Sequence, residues 1–227
     1  VVTRRQRQMC IRDRVVAEEF SSGLLAGKKV LITAGPTREK IDPVRYISNK
    51  SSGKMGFSLA KAAVDESAIV TLISGPVTLD TPERVKRIDI ESAEEMKEHV
   101  TANLSDIDLF ISTAAVADFK MKNSESQKIK KDQSKNMNLS LEKNEDILKH
   151  VSDNNPDLKV VGFAAETENM IDNARKKLSS KNLNLIVAND VSDSSIGFDS
   201  NNNEVTLITE KEELKILKGK NYNLNYL

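Results

Sequence analysis

Residues 33–56 read TAGPTREKIDPVRYISNKSSGKMG, and this stretch decides the fold class of the 227-residue chain. The apolar run KVLI at 29–32 leads directly into it, and apolar residues recur at helical spacing after Gly53. A strand that opens into small and polar residues at a helix start presents backbone N–H groups that can bind an anion. The stretch therefore predicts a nucleotide-using enzyme built on a strand–loop–helix unit.

The composition argues against several other classes of function. The 34 basic and 34 acidic residues cancel, and aromatic residues make up only 4% of the chain, so we do not expect a nucleic-acid binder. No run of 18 apolar residues exists, so we expect no membrane-spanning segment. The single cysteine, Cys10, fits a cytoplasmic location, and two histidines are too few for a multi-histidine metal site.

The N-terminal residues differ from the rest of the chain. Residues 1–14, VVTRRQRQMCIRDR, are Arg-rich, whereas the body prefers Lys, and they lack the apolar core of a secretory signal. The run resembles translated sequencing-adapter read-through on a gene fragment. A mitochondrial presequence is the alternative, but Glu18 and Glu19 argue against it. We expect residues 1–27 to be non-native sequence or linker and residues 28–227 to form the domain.

The body alternates apolar runs with helical patterns, which predicts a doubly wound α/β fold with a mostly parallel, Rossmann-like sheet and helices on both faces. Ligands of such sheets bind at the carboxyl ends of the strands, so the loops at 35–53 and 116–136 are the places to search. Residues 119–136 are polar and aperiodic, which predicts a mobile flap, and a C-terminal hairpin pairs 204–209 with 214–217. The remaining predicted strands are 29–34, 69–74, 85–90, 109–115, 137–141, 160–165 and 185–188, and the predicted helices are 53–64, 93–104, 146–151 and 168–183.

Four clusters of residues carry possible chemistry. Ser51 and Ser52 can cap a helix, and Gly53 lets a ligand approach the backbone, although neither G-x-x-x-x-G-K nor G-x-G-x-x-G is present. Small residues followed by Asp118 suit a base and its ribose. Lysines on the flap or on one helix face suit a polyanion, and Asp146 can hold Mg²⁺ beside phosphates. A capped helix, a solvated Asp118 and solvated lysines are the alternatives; the lysines concerned are Lys128, Lys130, Lys131, Lys177 and Lys181.

Taken together, these motifs resemble the phosphopantothenoylcysteine synthetase domains of bacterial coenzyme A biosynthesis. The resemblance runs from about residue 25 to residue 209. The matching pieces, in chain order, are LAGKKVLITAGPTREKIDPVRYISNKSSGKMG, AAVADF, KIKK, VVGFAAET, LIVANDV and IGFDSNNNEVTLIT. In many bacteria this domain follows an FMN-dependent decarboxylase domain, so the chain resembles the C-terminal part of a bifunctional protein. A standalone synthetase is the alternative.

The resemblance implies a ligase that joins 4′-phosphopantothenate to cysteine with CTP and Mg²⁺ through an acyl-cytidylate intermediate. It implies a homodimer, with FMN only in the decarboxylase domain that is missing from this chain. It assigns the acyl-nucleotide intermediate to Asn49, the ribose to Asp118, and the phosphates to Lys128. The other nucleotide-binding residues that it implies are Ser51, Ser52, Gly53, Ala114, Ala115, Asn144, Glu145, Asp146, Ile147, Phe163, Lys177 and Lys181.

The chain departs from the family pattern at two places. Asn144-Glu145-Asp146-Ile147 stands where Asn-Pro-Asp-Ile is usual, and Gly197-Phe198-Asp199-Ser200 stands where Gly-Phe-Gly-Ser is common. A nicotinamide-dependent oxidoreductase fits poorly, because the dinucleotide glycine pattern is absent. A non-catalytic regulatory or binding protein of the same fold is the remaining alternative. The presence of Asn49, Asp118 and Lys128 favours an active enzyme.

Overall fold

The computed structural model describes residues 23–130, 137–166, 168–190 and 202–220. Its centre is an eight-stranded sheet in the order β12-β11-β10-β9-β6-β1-β4-β5. All neighbours from β5 to β10 are parallel, and β11 and β12 continue antiparallel. The strands of this sheet are β1 (Lys29–Ala34), β4 (Ile69–Ser74), β5 (Lys86–Asp89), β6 (Leu109–Ser112), β9 (Lys159–Glu166), β10 (Leu185–Asp190), β11 (Asn202–Ile208) and β12 (Glu213–Lys220).

Helices cover both faces of the sheet, as the sequence predicts. On one face α1 (Lys54–Asp65) packs its buried Phe57, Leu59 and Ala60 onto β1 and β4. On the other face lie α2 (Ala93–Ala102), α3 (Ile147–Asn154) and α4 (Met170–Ser180). The chain runs from β1 outward to β4 and β5, then returns to β6 on the other side of β1. The topological switch point therefore lies between β1 and β6, where such sheets bind ligands.

Two short hairpins lie outside this sheet. One pairs β2 (Arg38–Asp42) with β3 (Arg45–Ser48), in the stretch that the sequence predicts as a loop. The other pairs β7 (Phe119–Met121) with β8 (Leu141–Lys143), so the predicted flap begins as a strand and the strand predicted at 137–141 starts only at Leu141. These short strands were missed in the predicted loop and at the start of the predicted flap because they have only 3 to 5 residues, too few for a period to stand out.

The remaining predicted strands and helices are confirmed within a few residues at their ends. The strand predicted at 109–115 ends at Ser112, and the C-terminal hairpin forms as β11 and β12. Ser92 caps α2, because its Oγ accepts the backbone N–H of Glu95. The Glu95 carboxylate in turn accepts the backbone N–H of Glu91, just before the helix. Predictions for residues 1–14, for residues 131–136 with Lys131, and for Gly197-Phe198-Asp199-Ser200 lie outside the described residues.

No helix in the described part of the chain has both the length and the apolarity to cross a lipid bilayer. The longest of them, α1, has 12 residues.

Candidate active site

A cavity of about 600 Å³ opens at the switch point. Its lining comes from four places in the chain: the loop before α1 with the first residues of α1, the end of β6, the start of α3, and the carboxyl ends of β9 and β10 with α4. A volume of this size suits a nucleotide or a cofactor fragment. The predicted site residues among the lining are Asn49, Ser51, Ser52, Gly53, Ala114, Ala115, Asp118, Asn144, Glu145, Asp146, Ile147, Phe163, Lys177 and Lys181.

The N-terminal end of α1 faces this cavity. Gly53 occupies the N-cap position with φ 76°, a left-handed conformation that glycine adopts without steric cost. As a glycine, this N-cap residue has no side chain to cap the helix, and the first turn holds no acidic residue. Ser51 Oγ accepts the N–H of Gly53 at 3.3 Å, at the residue before the first helical one, and capping of the helix by a serine stays a prediction. The helix start therefore presents backbone N–H groups and the positive end of its dipole to the cavity.

Gly56 allows α1 to lie close to the sheet. A Cβ atom at this position would come within 2.5 Å of Ala34 Cβ and of Thr113 Oγ1. The residue is buried, in the first turn of the helix, beside the ends of β1 and β6. Its lack of a side chain brings the N-terminus of α1 to the switch point.

The predicted catalytic Asn49 lies where β3 leads into this loop. Its Nδ2 donates a hydrogen bond to the Val116 carbonyl at 2.9 Å, which connects the loop before α1 to the loop after β6. An amide nitrogen carries two hydrogens, so this contact occupies only one of them. Asn49 can therefore be held in position by one N–H while the other remains able to donate to a ligand.

Asn144 joins the loop after β6 to the start of α3. Its backbone N–H donates to the Asp118 carbonyl at 2.9 Å, and its Nδ2 donates to the Ala117 carbonyl at 2.8 Å. Asp118, predicted to bind ribose, is exposed and is one of the residues that line the cavity. The two hydrogen bonds that Asn144 donates hold the backbone at Ala117 and Asp118 next to the start of α3.

Lys177 of α4 and Lys181, which follows the last residue of α4, each form an ion pair with a carboxylate. Lys181 Nζ lies 2.7 Å from Asp146 Oδ2, and Lys177 Nζ lies 3.6 Å from Glu166 Oε1. Asp146 also caps α3, because its Oδ1 accepts the N–H of Lys149 at 3.0 Å. Burial would raise the pKa of Asp146, but the hydrogen bond from Lys181 and the N–H of Lys149 outweigh it and hold the pKa below its usual value.

Glu145, predicted to contact the nucleotide, binds two side chains of the protein through its carboxylate. Its carboxylate pairs with Lys97 at 2.5 Å and with His150 Nδ1 at 3.0 Å. The Lys97 ammonium lowers the pKa of this carboxyl against a smaller opposing effect of burial. The Glu145 carboxylate is thus held by partners on two helices, α2 and α3.

Lys128 is the predicted site residue that the structure does not bring to the cavity wall. It is exposed and lies in the segment that follows β7, against the β2–β3 hairpin rather than among the lining residues. Its role on the phosphates therefore stays a prediction.

Sequence reasoning also missed several lining residues. Asn189, at the carboxyl end of β10, lines the cavity, and its Oδ1 is buried without a hydrogen-bond partner among the described residues. The signal that could have found it is its position, since a polar side chain closes an otherwise apolar buried strand. The other missed lining residues are Lys50, Lys54, Met55, Gly56, Ser112, Thr113, Val116, Ala117, Leu148, Ala164 and Ala165.

Possible metal ligands in the described residues are few. No group of three or more His, Cys, Asp or Glu side chains is placed to hold a metal ion in residues 23–130, 137–166, 168–190 and 202–220. The Asp146 carboxylate lines the cavity, and each of its oxygens has one described partner, which leaves each a further lone pair. Mg²⁺ needs only one or two carboxylates when phosphate oxygens supply other ligands, so the donor set fits an ion held largely by a nucleotide.

Comparison with known proteins identifies the family. A coenzyme A biosynthesis bifunctional protein CoaBC from Vibrio vulnificus (strain CMCP6) is 52% identical over 198 residues, which cover 86% of this chain and 49% of that protein. The crystal structure of the C-terminal domain of a CoaBC protein matches with a TM-score of 0.75 and 40% identity, covering 88% of this chain and 91% of that one. The chain thus spans about half the length of its curated relative.

A more distant structure has the same fold. A Cab2 variant in complex with phosphopantothenate-cysteine matches with a TM-score of 0.69 at 17% identity, over 92% of this chain and 86% of that one. The family model of the DNA/pantothenate metabolism flavoprotein C-terminal domain matches residues 25–223. The chain therefore belongs to the family of DNA/pantothenate metabolism flavoprotein C-terminal domains.

Proposed function

We propose that the chain is a phosphopantothenate–cysteine ligase that uses CTP. The observation that carries the proposal is the convergence of Asn49, the start of α1, the Asp118 loop and the α4 lysines on one cavity at the switch point. The relatives' role in coenzyme A biosynthesis and the family resemblance support the same substrates. Residues 28–227 would form this synthetase domain and residues 1–27 a linker or non-native segment.

The reaction has two balanced steps. The carboxylate of 4′-phosphopantothenate attacks the α-phosphorus of CTP and expels pyrophosphate, which gives an acyl-cytidylate. The cysteine amine then attacks the acyl carbon, loses a proton and expels CMP, which leaves the amide. Both steps move negative charge between oxygens, so they need placed hydrogen-bond donors and cations more than a strong base.

The residues divide this work by position. The N–H groups at the start of α1, with Ser51 and Ser52, bind phosphate oxygens, and Lys128, Lys177 and Lys181 add positive charge. The free N–H of Asn49 donates to the oxyanion that forms when the amine attacks the acyl carbon. A neutral amide suits this position because it cannot itself be acylated as an amine would be.

Other residues hold the nucleoside. Asp118 accepts hydrogen bonds from ribose hydroxyls, and the backbone of Ala114 and Ala115 reads the base, with Phe163 beside it. Asn144 and Ile147 hold the backbone at the start of α3 against this nucleoside. Mg²⁺, held by Asp146 and phosphate oxygens, would neutralise charge on the triphosphate.

We also propose that the chain acts as a homodimer in the cytoplasm, in an assembly with an FMN-dependent decarboxylase domain. Exposed apolar side chains on both rim hairpins support the dimer: Val44 is 58% exposed, Tyr46 49%, Phe119 44% and Leu141 44%. Since β2 packs against β7, these hairpins form one surface, here called the rim surface. Exposed apolar patches of this kind mark association sites.

Pyrophosphate release tests the proposal. The purified chain is supplied with Mg²⁺, 4′-phosphopantothenate, cysteine and each of the four nucleoside triphosphates in turn. We expect release with CTP that depends on 4′-phosphopantothenate, followed by an amide product that depends on cysteine. Asn49→Ala should preserve the first burst of pyrophosphate and slow amide formation about 10²-fold or more, the usual effect of deleting an oxyanion donor. Equal turnover of Asn49→Ala and wild type would refute the role of Asn49.

A further inference from the structure

A buried carboxylate closes the turn of the β2–β3 hairpin. Asp42 is 2% exposed, and its Oδ1 accepts the N–H groups of Val44 at 2.8 Å and Arg45 at 2.9 Å. These bonds form the local turn that an Asp residue commonly stabilises. They account for only one of the two carboxylate oxygens.

The second oxygen binds a distant part of the chain. Asp42 Oδ2 accepts Arg45 Nη1 at 2.8 Å and the backbone N–H of Ile129 at 3.2 Å, 87 residues away. Arg45 Nη2 in turn donates to the Ile129 carbonyl at 3.3 Å. One ion pair therefore binds both polar groups of a single peptide residue. We call this arrangement the Asp42–Arg45 clamp.

The clamp holds the lysine segment. Ile129 lies between Lys128 and Lys130, both exposed, and a further bond from Glu125 N–H to the Ile41 carbonyl at 2.9 Å attaches the same segment to β2. Two attachment points within five residues restrict the backbone from which these lysines project. The same hairpin continues through β3 into Asn49.

We propose that Asp42 and Arg45 are positioning residues that set the direction in which Lys128 and Lys130 approach the nucleotide phosphates. The inference rests on the proposed function, in which Lys128 binds those phosphates. It adds that the β2–β3 hairpin positions both Asn49 and Lys128. Asn49 directly follows β3 in the chain, and Lys128 is attached to the hairpin through the Asp42–Arg45 clamp. The turn itself needs only the hydrogen bonds to Asp42 Oδ1, so the contacts of Oδ2 with Arg45 and Ile129 serve another purpose.

The decisive variant is Asp42→Asn. Its amide can keep Oδ1 for the turn but presents an N–H₂ group to Ile129 N–H and to Arg45, neither of which can accept from it. We expect the amide of Ile129, followed in peptides that span 125–130, to exchange with deuterium at least tenfold faster. We expect the KM for CTP to rise about tenfold with a smaller change in kcat, because binding is weakened through a displaced charge.

A double-mutant cycle separates positioning from folding. In a Lys128→Ala, Lys130→Ala background, Asp42→Asn should have no further effect on the KM for CTP, because the residues through which it acts are gone. Asp65→Asn, which removes an exposed partner of Lys61 on α1, is the matched control and should leave exchange and KM unchanged. If Asp42→Asn fails to fold, Arg45→Lys takes its place in the cycle. Lysine keeps the positive charge but cannot bind Asp42 and the Ile129 carbonyl through two separate nitrogens.

The outcomes decide the proposal. Additive effects in the cycle, or unchanged exchange at Ile129, would overturn it. A chain that releases no pyrophosphate with any nucleotide would refute the proposed function, whereas the exchange measurement would still report whether the clamp exists.

Discussion

Lys181, at the end of α4, lies with its Nζ 2.7 Å from Asp146 Oδ2 at the start of α3. The pair joins two helices at the cavity, and Lys177 lies one turn before Lys181 on the same helix face. The sequence predicts a polyanion between these two lysines. The structure adds carboxylates to the same place, so a bound nucleotide would have to share its lysines with Asp146 and Glu166. The positive charges of Lys177 and Lys181 are thus each paired with a carboxylate when no ligand is bound.

This balance predicts a dependence of stability on pH. Because the pKa of Asp146 is below its usual value in the folded chain, its contribution is complete at pH values above about 4, the pKa of an unfolded Asp. It is lost as the pH falls through the lower, folded pKa. The free energy of unfolding of wild type should therefore exceed that of Asp146→Asn by a constant amount from pH 8 to 5, and the difference should shrink below about pH 4.

Denaturant unfolding at a series of pH values measures this difference. Asp89→Asn, an exposed carboxylate on β5, is the control for a general loss of negative charge. A difference between wild type and Asp146→Asn that stayed constant down to pH 2 would contradict the assignment of Lys181 and Lys149 as the cause.

Gly56→Ala should damage both packing and ligand binding. The added Cβ would lie 2.5 Å from Ala34 Cβ and Thr113 Oγ1, so α1 must move away from the sheet. Overpacking of this kind typically costs about 1–3 kcal/mol in the free energy of unfolding. Because the moved element carries the N–H groups that face the cavity, the affinity for nucleotide should fall as well. Thermal unfolding and nucleotide titration check the two effects.

Ala60→Gly on the same helix is the matched control for Gly56→Ala. It changes one methyl group in a buried position, but without a new contact, and it should lower stability while leaving nucleotide affinity close to that of wild type. If Gly56→Ala were as stable as wild type, the close approach of α1 would not depend on this glycine.

Much of the parallel core follows directly from the sequence. The sequence predicts the strands at 29–34 and 69–74 with their observed bounds, because a nearly continuous apolar run followed by Gly-Pro leaves little ambiguity. The same parallel arrangement brings the carboxyl ends of β1 and β6 together, which is why the loops that hold Asn49 and Asp118 could be expected at one cavity.

The β2–β3 hairpin shows where sequence reasoning fails. Its buried residues include Glu39 and Asp42, which a pattern of apolar positions assigns to solvent. They are buried because distant groups satisfy them: Glu39 Oε1 accepts the N–H of Ala93, and Asp42 accepts that of Ile129. Such partners lie 54 and 87 residues away and leave no local signal. Burial of a paired carboxylate is a tertiary property.

Asn189 should contact a substrate. Its Oδ1 is buried in the cavity wall without a donor among the described residues, and an unpaired buried acceptor is costly unless a ligand supplies the donor. Asn189→Ala should raise the KM for CTP or for 4′-phosphopantothenate about tenfold, which corresponds to one hydrogen bond. Ligand-induced shifts in melting temperature, measured with each substrate alone, identify which one is affected. Asn103→Ala, at the end of α2, is the control, and an unchanged KM for both substrates would contradict the role.

The rim surface predicts the oligomeric state. Glutamate at Val44 and at Phe119 would place charges among the exposed apolar side chains of both hairpins, where burial of an unpaired charge is unfavourable. We expect wild type to sediment as a dimer and the Val44→Glu, Phe119→Glu variant as a monomer at the same concentration. Leu214→Glu is the matched control, since Leu214 is 49% exposed on the edge strand β12 of the central sheet. A monomeric wild type, or dissociation caused equally by Leu214→Glu, would show that the rim surface is not the dimer interface.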